Sequence, residues 1–354
     1  MKRDRPCLCF IGSMAGDESG NSLPMGRVMA ALFKQEGFEV IVASCKVNRL
    51  LRLLDIARTL YLERSKIDIL IIQVYSGLSF VIADVASWMG RVLKLPIIFH
   101  VHGGNIPSFI DRHPAWVGRV MKRASRIVAP SHYLANSLLQ HGFVIALIPN
   151  VIELSRYAFV HRRKPVSRLV WLRAFHDVYN PSLAAGVLSL LNGLGIHADL
   201  VMIGPDKRDG SLGRLMDAAE RQGVSQQIRI IPGIPNEQVP EYLARGDIFL
   251  NTTNIDNTPV SVIEAMACGL CIVSTNVGGI PYLLEDETDA LLVPPNDPSL
   301  MAGAVQRILM EPALAGRLSE NARRKAGQFD WSVIFPEWVR LFEQLMNAHG
   351  RLEA

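Results

Sequence analysis

The sequence has no uninterrupted apolar run of bilayer length, no low-complexity tract and no cysteine spacing typical of a disulfide framework. Its most apolar helical stretch, 78–95, carries Asp84, Arg91 and Lys94, so it reads as a buried helix rather than a membrane span. The first residues, MKRDRPCLCFIGS, open with charges, but the apolar run behind them is only a strand long, which does not fit a secretory leader. The five cysteines are odd in number and unpatterned, which favours a reducing compartment. Cys268-Gly-Leu-Cys271 has C-x-x-C spacing but no second Cys or His pair beside it, so packing is its simplest role. A P-loop, a hydrolase serine elbow and a metal-ligand helix are all missing. Nucleic-acid binding has only net charge in its favour. The expected location is cytoplasmic.

What is present is a chain of 354 residues, long for one domain and suited to two, with 49% hydrophobic and 20% charged residues. The net charge of +4 is unevenly spread. Residues 1–160 hold 19 Lys and Arg against 11 Asp and Glu, and residues 161–354 hold 18 against 22. A basic first half points to an anionic partner for that half: a membrane surface, a phospholipid-linked acceptor or an acidic glycan.

Strand and helix patterns alternate throughout. In the first half the spacing predicts strands at 8–13, 38–44, 67–74, 96–102, 126–130 and 145–149, separated by helices at 24–36, 48–64, 78–93, 114–122 and 132–141. The strands are runs of Ile, Leu, Val and Phe rather than alternating patterns, as a parallel sheet covered on both faces requires. A polar, Arg-rich passage at 153–168 follows, and then the rhythm restarts. The second half predicts strands at 169–172, 199–203, 228–231, 248–251, 272–275 and 291–293, and helices at 181–194, 211–222, 236–245, 260–268, 300–309 and 313–328. An amphipathic helix at 331–346 closes the chain. Each half is a doubly wound α/β unit, whose ligands bind at the C-terminal ends of the strands.

Residues 254–279, NIDNTPVSVIEAMACGLCIVSTNVGG, are the richest stretch. Asp256 stands before a helix that opens near Val260, and Glu264 lies inside it. Backbone N–H groups and the helix dipole can hold a phosphate there, with a carboxylate on either side for sugar hydroxyls. The register of Asp256, Pro259, Val262 to Ala267, Gly269, Val273, Gly278 and Gly279 resembles the signature of retaining GT-B glycosyltransferases of the family 4 type. Weaker echoes are the loop 20–27, His102-Gly103-Gly104, Pro149-Asn150, Gly204-Pro205 and Trp331.

The resemblance implies two Rossmann-like domains facing a cleft: an acceptor domain at 1–160, a donor domain at 161–328, and a C-terminal helix at 329–354 packing back on the first. It implies a nucleotide-sugar donor held mainly by the second domain, and no obligatory metal or other cofactor. Glu264 is expected to accept hydrogen bonds from donor ribose hydroxyls. Asp256 takes a position where the family has glutamate, and is expected to contact donor-sugar hydroxyls and stabilise charge at the anomeric carbon, with about 1.5 Å less reach. Thr258, Pro259, Val260 and Ser261 are expected to present backbone N–H groups to the diphosphate, with Pro259 in the first helical turn and Thr258 as an alternative N-cap. Arg173 is the best diphosphate cation. The lysine that the family places five residues later is Val178 here, with His176, Tyr179 and Asn180 as polar neighbours. Gly204, Pro205, Gly233 and Ile234 are expected to line the nucleoside pocket, with plain turn glycines as the alternative. His102 is expected to face the sugar or acceptor, and Gly20 and Gly26 to flank a loop near the diphosphate.

The implied function is retaining transfer of a sugar, hexosyltransferase in type, from a nucleoside-diphosphate sugar to a glycan or lipid-linked acceptor in cell-envelope or exopolysaccharide synthesis. The cationic, leucine-rich segment 46–66, with Arg119, Lys122, Arg123 and Arg126, could bring the first domain to the inner face of an anionic plasma membrane. Two alternatives stay open, the first of them motivated by the shortened acid and the missing lysine. One is a non-catalytic sugar-nucleotide-binding protein and the other an epimerase or hydrolase on the same architecture.

Overall fold

A computed structural model describes residues 5–14 and 24–350. The chain forms two compact units: among the described residues, the first holds 5–14, 24–150 and 334–350, and the second holds 151–333. The units divide in sequence at Asn150/Val151, ahead of the boundary at 160 that the sequence suggests. Arg162 ties the Arg-rich passage into the second unit: its backbone N donates to Ser319 Oγ (3.0 Å), and its Nε donates to Asp247 Oδ1 (3.2 Å).

The first unit contains β1 (Leu8–Ile11), β2 (Val40–Ala43), β3 (Ile69–Val74), β4 (Ile97–Val101), β5 (Arg126–Ala129) and β6 (Ile145–Leu147). They form one sheet, all parallel, in the order β2-β1-β3-β4-β5-β6. β1, β3 and β4 are buried along their whole length, because helices cover both faces. Cys9 and Ile11 join one core layer with Ile56, Leu60 and Phe80. Phe10 points the other way, against Phe33 (6.0 Å between rings), and Phe33 meets Phe342 (5.3 Å) and Trp338 (6.3 Å) of the final helix, Trp331–Ala348.

The second unit contains β7 (Arg168–Leu172), β8 (Asp199–Ile203), β9 (Ile228–Ile231), β10 (Ile248–Asn251), β11 (Cys271–Thr275) and β12 (Ala290–Val293). Their order is β12-β11-β10-β7-β8-β9, again all parallel. Counted from its own first strand, this is the order of dinucleotide-binding folds. Its core lies in two layers, one around Trp171, Leu188 and Met202 and the other around Phe249, Ile263 and Met266.

Among the described residues the twelve strands fall where the apolar runs put them. Two short helices, Ile106–Arg112 and Ile280–Leu283, had no periodic signal long enough to read. The expected helix at 78–93 begins with a 3-10 turn, Gly77–Ser79, before Phe80–Val92. The five cysteines are free, and Cys268 and Cys271 are buried. Among the described residues no helix is long and apolar enough to cross a membrane, and no three His, Cys, Asp or Glu side chains group as a metal site.

Candidate functional site

Strand order builds the site in the second unit. From β7 the chain runs outward through β8 and β9, then returns to place β10 on the other side of β7. At such a reversal the loops leaving adjacent strands diverge and open a crevice at the strands' C-terminal ends. Arg173 is the first residue after β7, and Asp256 lies on the loop after β10. The two form an ion pair, both side chains largely buried. The Arg173 guanidinium also sits 4.5 Å above the Tyr179 ring. Burial pulls Arg173 below its usual pKa, while Tyr179 and Glu264 favour its charge. Its Nε has no hydrogen-bond partner among the described residues, and neither does the buried Ser261 Oγ. Buried polar atoms are rarely left unpaired, so these two mark where a ligand would complete the site.

The loop carrying Asp256 is tied down along its length. Trp171 Nε1 donates to Thr252 Oγ1 (2.9 Å), which donates to Tyr179 O (2.7 Å). Thr253 Oγ1 donates to Ile255 O (2.9 Å), and Thr275 Oγ1 to Thr253 O (2.5 Å). Val178 O accepts from Asn254 N (2.7 Å). Val178 brings no cation, yet its carbonyl pins the loop. Of the three polar neighbours, only Tyr179 contacts Arg173. His176 Nδ1 accepts from Val178 N (3.1 Å), and Asn180 Nδ2 donates to Asn296 Oδ1 (2.9 Å). Asp256 Oδ1 accepts from Asn257 N (2.9 Å), and Asp256 O from Gly279 N (3.0 Å).

The helix that follows is Val260–Ala267. Pro259 is the residue before it, with φ −68° and ψ 118°, rather than part of its first turn as the sequence suggested. The N-cap position is held by Pro259, which has no side-chain acceptor, and Thr258 stands one residue ahead of it. Thr258 and Ser261 are buried. The N–H groups of Val260 and Ser261 have no carbonyl partner within the helix, which leaves the positive end of its dipole to serve an anion.

Glu264 is buried in the second turn of that helix and accepts a hydrogen bond from Tyr157 Oη at 2.7 Å. Burial raises its pKa to about 7, while the Tyr157 bond and the charges of Arg156 and Arg173 act in the opposite direction. Between its ordinary value of 4.5 and about 7 the folded state therefore holds a proton that the unfolded chain has lost, and this stabilising contribution fades as pH rises through that window. A ribose diol needs the carboxylate form, which only accepts. Donor affinity is thus expected to strengthen as pH rises through 7. Tyr157→Phe removes a stabilising donor, so the midpoint should move up by about one pH unit. Calorimetric titration of donor across pH 6–9 reads both effects. Tyr157 lies in the Arg-rich passage, and no spacing in the sequence pointed to it.

Gly204 is held to glycine by the chain packed against it. It follows β8 with φ +153°, and a Cβ there would run into the Arg173 carbonyl. Phe175 N donates to Pro205 O (2.9 Å), so Gly204-Pro205 runs alongside the Arg173 backbone. Gly233 follows β9 with φ +102°, and Ile234 is buried in the layer that includes Tyr157 and Ile263.

The first unit holds the other expected residues. His102, just after β4, is buried, and its Nε2 donates to Gln73 Oε1 (2.6 Å). It stacks on Tyr75 (5.2 Å) and lies 4.1 Å from His100. Burial lowers its pKa to about 3, so it is neutral at ordinary pH. Gly26 lies in the helix Met25–Gln35, where a Cβ would come within 2.8 Å of the Gln73 side chain. Gly26, Gln73 and His102 therefore form one cluster at the C-terminal ends of β3 and β4. Gly20 lies outside the described residues.

Residues 167–325 match the family described as Glycosyl transferases group 1, and residues 35–156 match Glycosyltransferase Family 4. A D-inositol 3-phosphate glycosyltransferase from Jonesia denitrificans is 30% identical over 146 residues, 41% of this chain and 34% of that protein. A D-inositol 3-phosphate glycosyltransferase from Streptomyces bingchenggensis is 28% identical over 144 residues, 39% of this chain and 32% of that protein. The match thus spans about a third of each relative. In fold, the chain resembles a sucrose-phosphate synthase from Thermosynechococcus elongatus, with TM-score 0.79 and 17% identity over 97% of this chain and 100% of that one. It also resembles Anabaena HepE in complex with UDP and glucose, with TM-score 0.78 and 15% identity over 96% of this chain and 100% of that one.

Proposed function

As the chain belongs to the glycosyltransferases of the group 1 and family 4 type, with the GT-B fold, we propose that it is an enzyme moving a sugar from a nucleoside-diphosphate sugar to a glycan or lipid-linked acceptor. The observation that carries this reading is the pairing of Arg173 with Asp256 at the strand-order reversal of the second unit, with the Arg173 Nε and Ser261 Oγ unpartnered. A diphosphate supplies the acceptors those groups lack. Arg173 and the backbone N–H groups at Val260 and Ser261 would neutralise charge that builds on the leaving diphosphate as the sugar–phosphate bond stretches. Glu264 would hold the ribose, and Asp256 the sugar hydroxyls. The acceptor hydroxyl attacks from the face the diphosphate leaves, which gives retention. A departing phosphate oxygen takes the acceptor proton, so no protein base is needed. The positive charge comes from Arg173 and the amides, and the reading takes no obligatory metal or other cofactor. HepE, seen with UDP and glucose, makes a UDP-sugar the first donor to try.

We place the reaction in cell-envelope or exopolysaccharide synthesis, in the cytoplasm or at the inner face of an anionic membrane, on the strength of the basic first half of the chain. A second reading, a sugar-nucleotide-binding protein without turnover, draws on Val178 at the family's lysine position and on Arg173 being already engaged by Asp256. A thermal-shift screen against UDP-, GDP-, ADP- and CMP-sugars tests the donor. At a hundred times the dissociation constant, the true donor should stabilise the chain by about 2.7 kcal/mol. Product analysis with and without acceptor then separates transfer from hydrolysis or epimerisation, and the anomeric configuration of the product tests retention. Binding without any product over a broad acceptor panel would favour the second reading.

A further inference from the structure

We infer that the outward face of the helix Arg49–Glu63 is a docking surface for an anionic lipid bilayer. This helix is apolar on both sides. Ile56 and Leu60 are fully buried against the first unit's core, with Leu53 packed beside them. On the opposite side Leu50, Leu54 and Tyr61 are 73%, 67% and 61% exposed, and Leu51 and Leu62 are more than half exposed. At about 100° per residue these five side chains and Arg58 fill one continuous arc of about 120°. A helix on the surface of a globular domain normally turns polar residues outward along that arc. Scattered exposed leucines need no explanation, but a contiguous stripe marks an interaction surface.

The exposed charges around the stripe are cationic. Lys46, Arg49, Arg58, Arg64 and Lys66 are exposed, whereas Glu63 is paired with Lys66 at 2.7 Å and Asp55 is half-buried. Arg64 lies 4.5 Å over the Tyr61 ring, so a cation and an aromatic ring stand together at one end of the stripe. The helix Phe80–Val92 packs alongside and exposes Trp88 and Val92, with Arg91 and Lys94 also exposed. The stripe is held in place at its start. Asn48 Oδ1 accepts from Leu50 N (3.0 Å) and Leu51 N (3.2 Å), and the Arg52 side chain donates to Lys46 O (2.8 Å) and Val47 O (3.1 Å). A second copy of this face would set cations against cations. A bilayer with anionic headgroups satisfies both features, since leucine side chains enter the acyl boundary and Lys and Arg stay at the phosphates. The inference gives the membrane partner proposed above a defined surface, and it does not depend on the donor site.

The test is sedimentation of the full chain with phosphatidylcholine vesicles, with and without about one-third phosphatidylglycerol. The wild type should bind the anionic vesicles at least about tenfold more tightly than the neutral ones, and less tightly as salt is raised. Leu50→Asn/Leu54→Asn and Arg58→Glu should each weaken that binding several-fold while leaving circular dichroism and melting temperature unchanged, because these side chains already face solvent. Glu264→Gln should bind vesicles as the wild type does, which keeps the outcome separate from the donor reading. Wild type that stays in the supernatant, vesicle binding that the stripe variants do not alter, or a dimer in sedimentation velocity that the stripe variants dissolve would each overturn the inference.

Discussion

An Arg173→Ala variant is expected to lose turnover by about 10²–10³-fold and to melt well below the wild type. The two losses have separate causes. The catalytic loss follows from removing the cation that pairs with Asp256 at the strand-order reversal, where charge grows on the departing diphosphate. The stability loss follows from leaving the Asp256 carboxylate, largely buried, with no counter-charge. Breaking one side of a buried ion pair costs about 3–5 kcal/mol. Arg173→Ala/Asp256→Asn should therefore recover much of the melting temperature and none of the turnover. Steady-state kinetics beside differential scanning calorimetry on the two variants separates the effects. Recovery of turnover in the double variant would mean that Arg173 acts only as a partner for Asp256.

Gly279→Ala should cost about 100-fold in turnover with a stability loss of about 1–3 kcal/mol. A Cβ at Gly279 would collide with the Asn257 carbonyl, and one at Gly278, where φ is +55°, with the Asp256 carbonyl. Backbone atoms cannot swing aside as a side chain can. The added methyl must push the loop away from β11, and Asp256 with it. Gly303→Ala is the control. That glycine lies inside the helix Pro298–Met310 with open space where its Cβ would go. It should gain about 0.5–1 kcal/mol with turnover unchanged. Kinetics and urea melts on the pair test whether position, rather than glycine loss as such, governs the effect.

The sheets could be read from the sequence because the strands β1, β3, β4, β10 and β11 are buried along their whole length, and an apolar run is the direct imprint of that environment; the half-exposed β2, β6 and β9 keep enough Ile, Val and Leu to show as well. The helix from Val260 and the two acids around it were readable for a similar reason: their register is local. What could not be read depends on which strands become neighbours. Arg173 meets Asp256 only because β10 returns beside β7. Tyr157 reaches Glu264 from the Arg-rich passage, and Gln73 reaches His102 across two adjacent strands. The Val178 carbonyl ties down a loop that lies far along the chain. None of these pairs has a spacing signal, since each is made by the fold rather than by a repeat. At Gly204 the constraint visible in the fold, the Arg173 backbone pressing against it, likewise has no sequence signal. The missed helix Ile106–Arg112 is too short to show a period, and it follows two glycines that read as loop.

Trp171 adds an optical consequence. Its indole is fully enclosed, and the N–H is bonded to Thr252 at the root of the loop that carries Asp256. Any ligand that draws this loop inward alters the polarity felt by that chromophore. The emission wavelength of Trp171 is thus an intrinsic gauge of occupancy, and it can be isolated by replacing the other four tryptophans with phenylalanine.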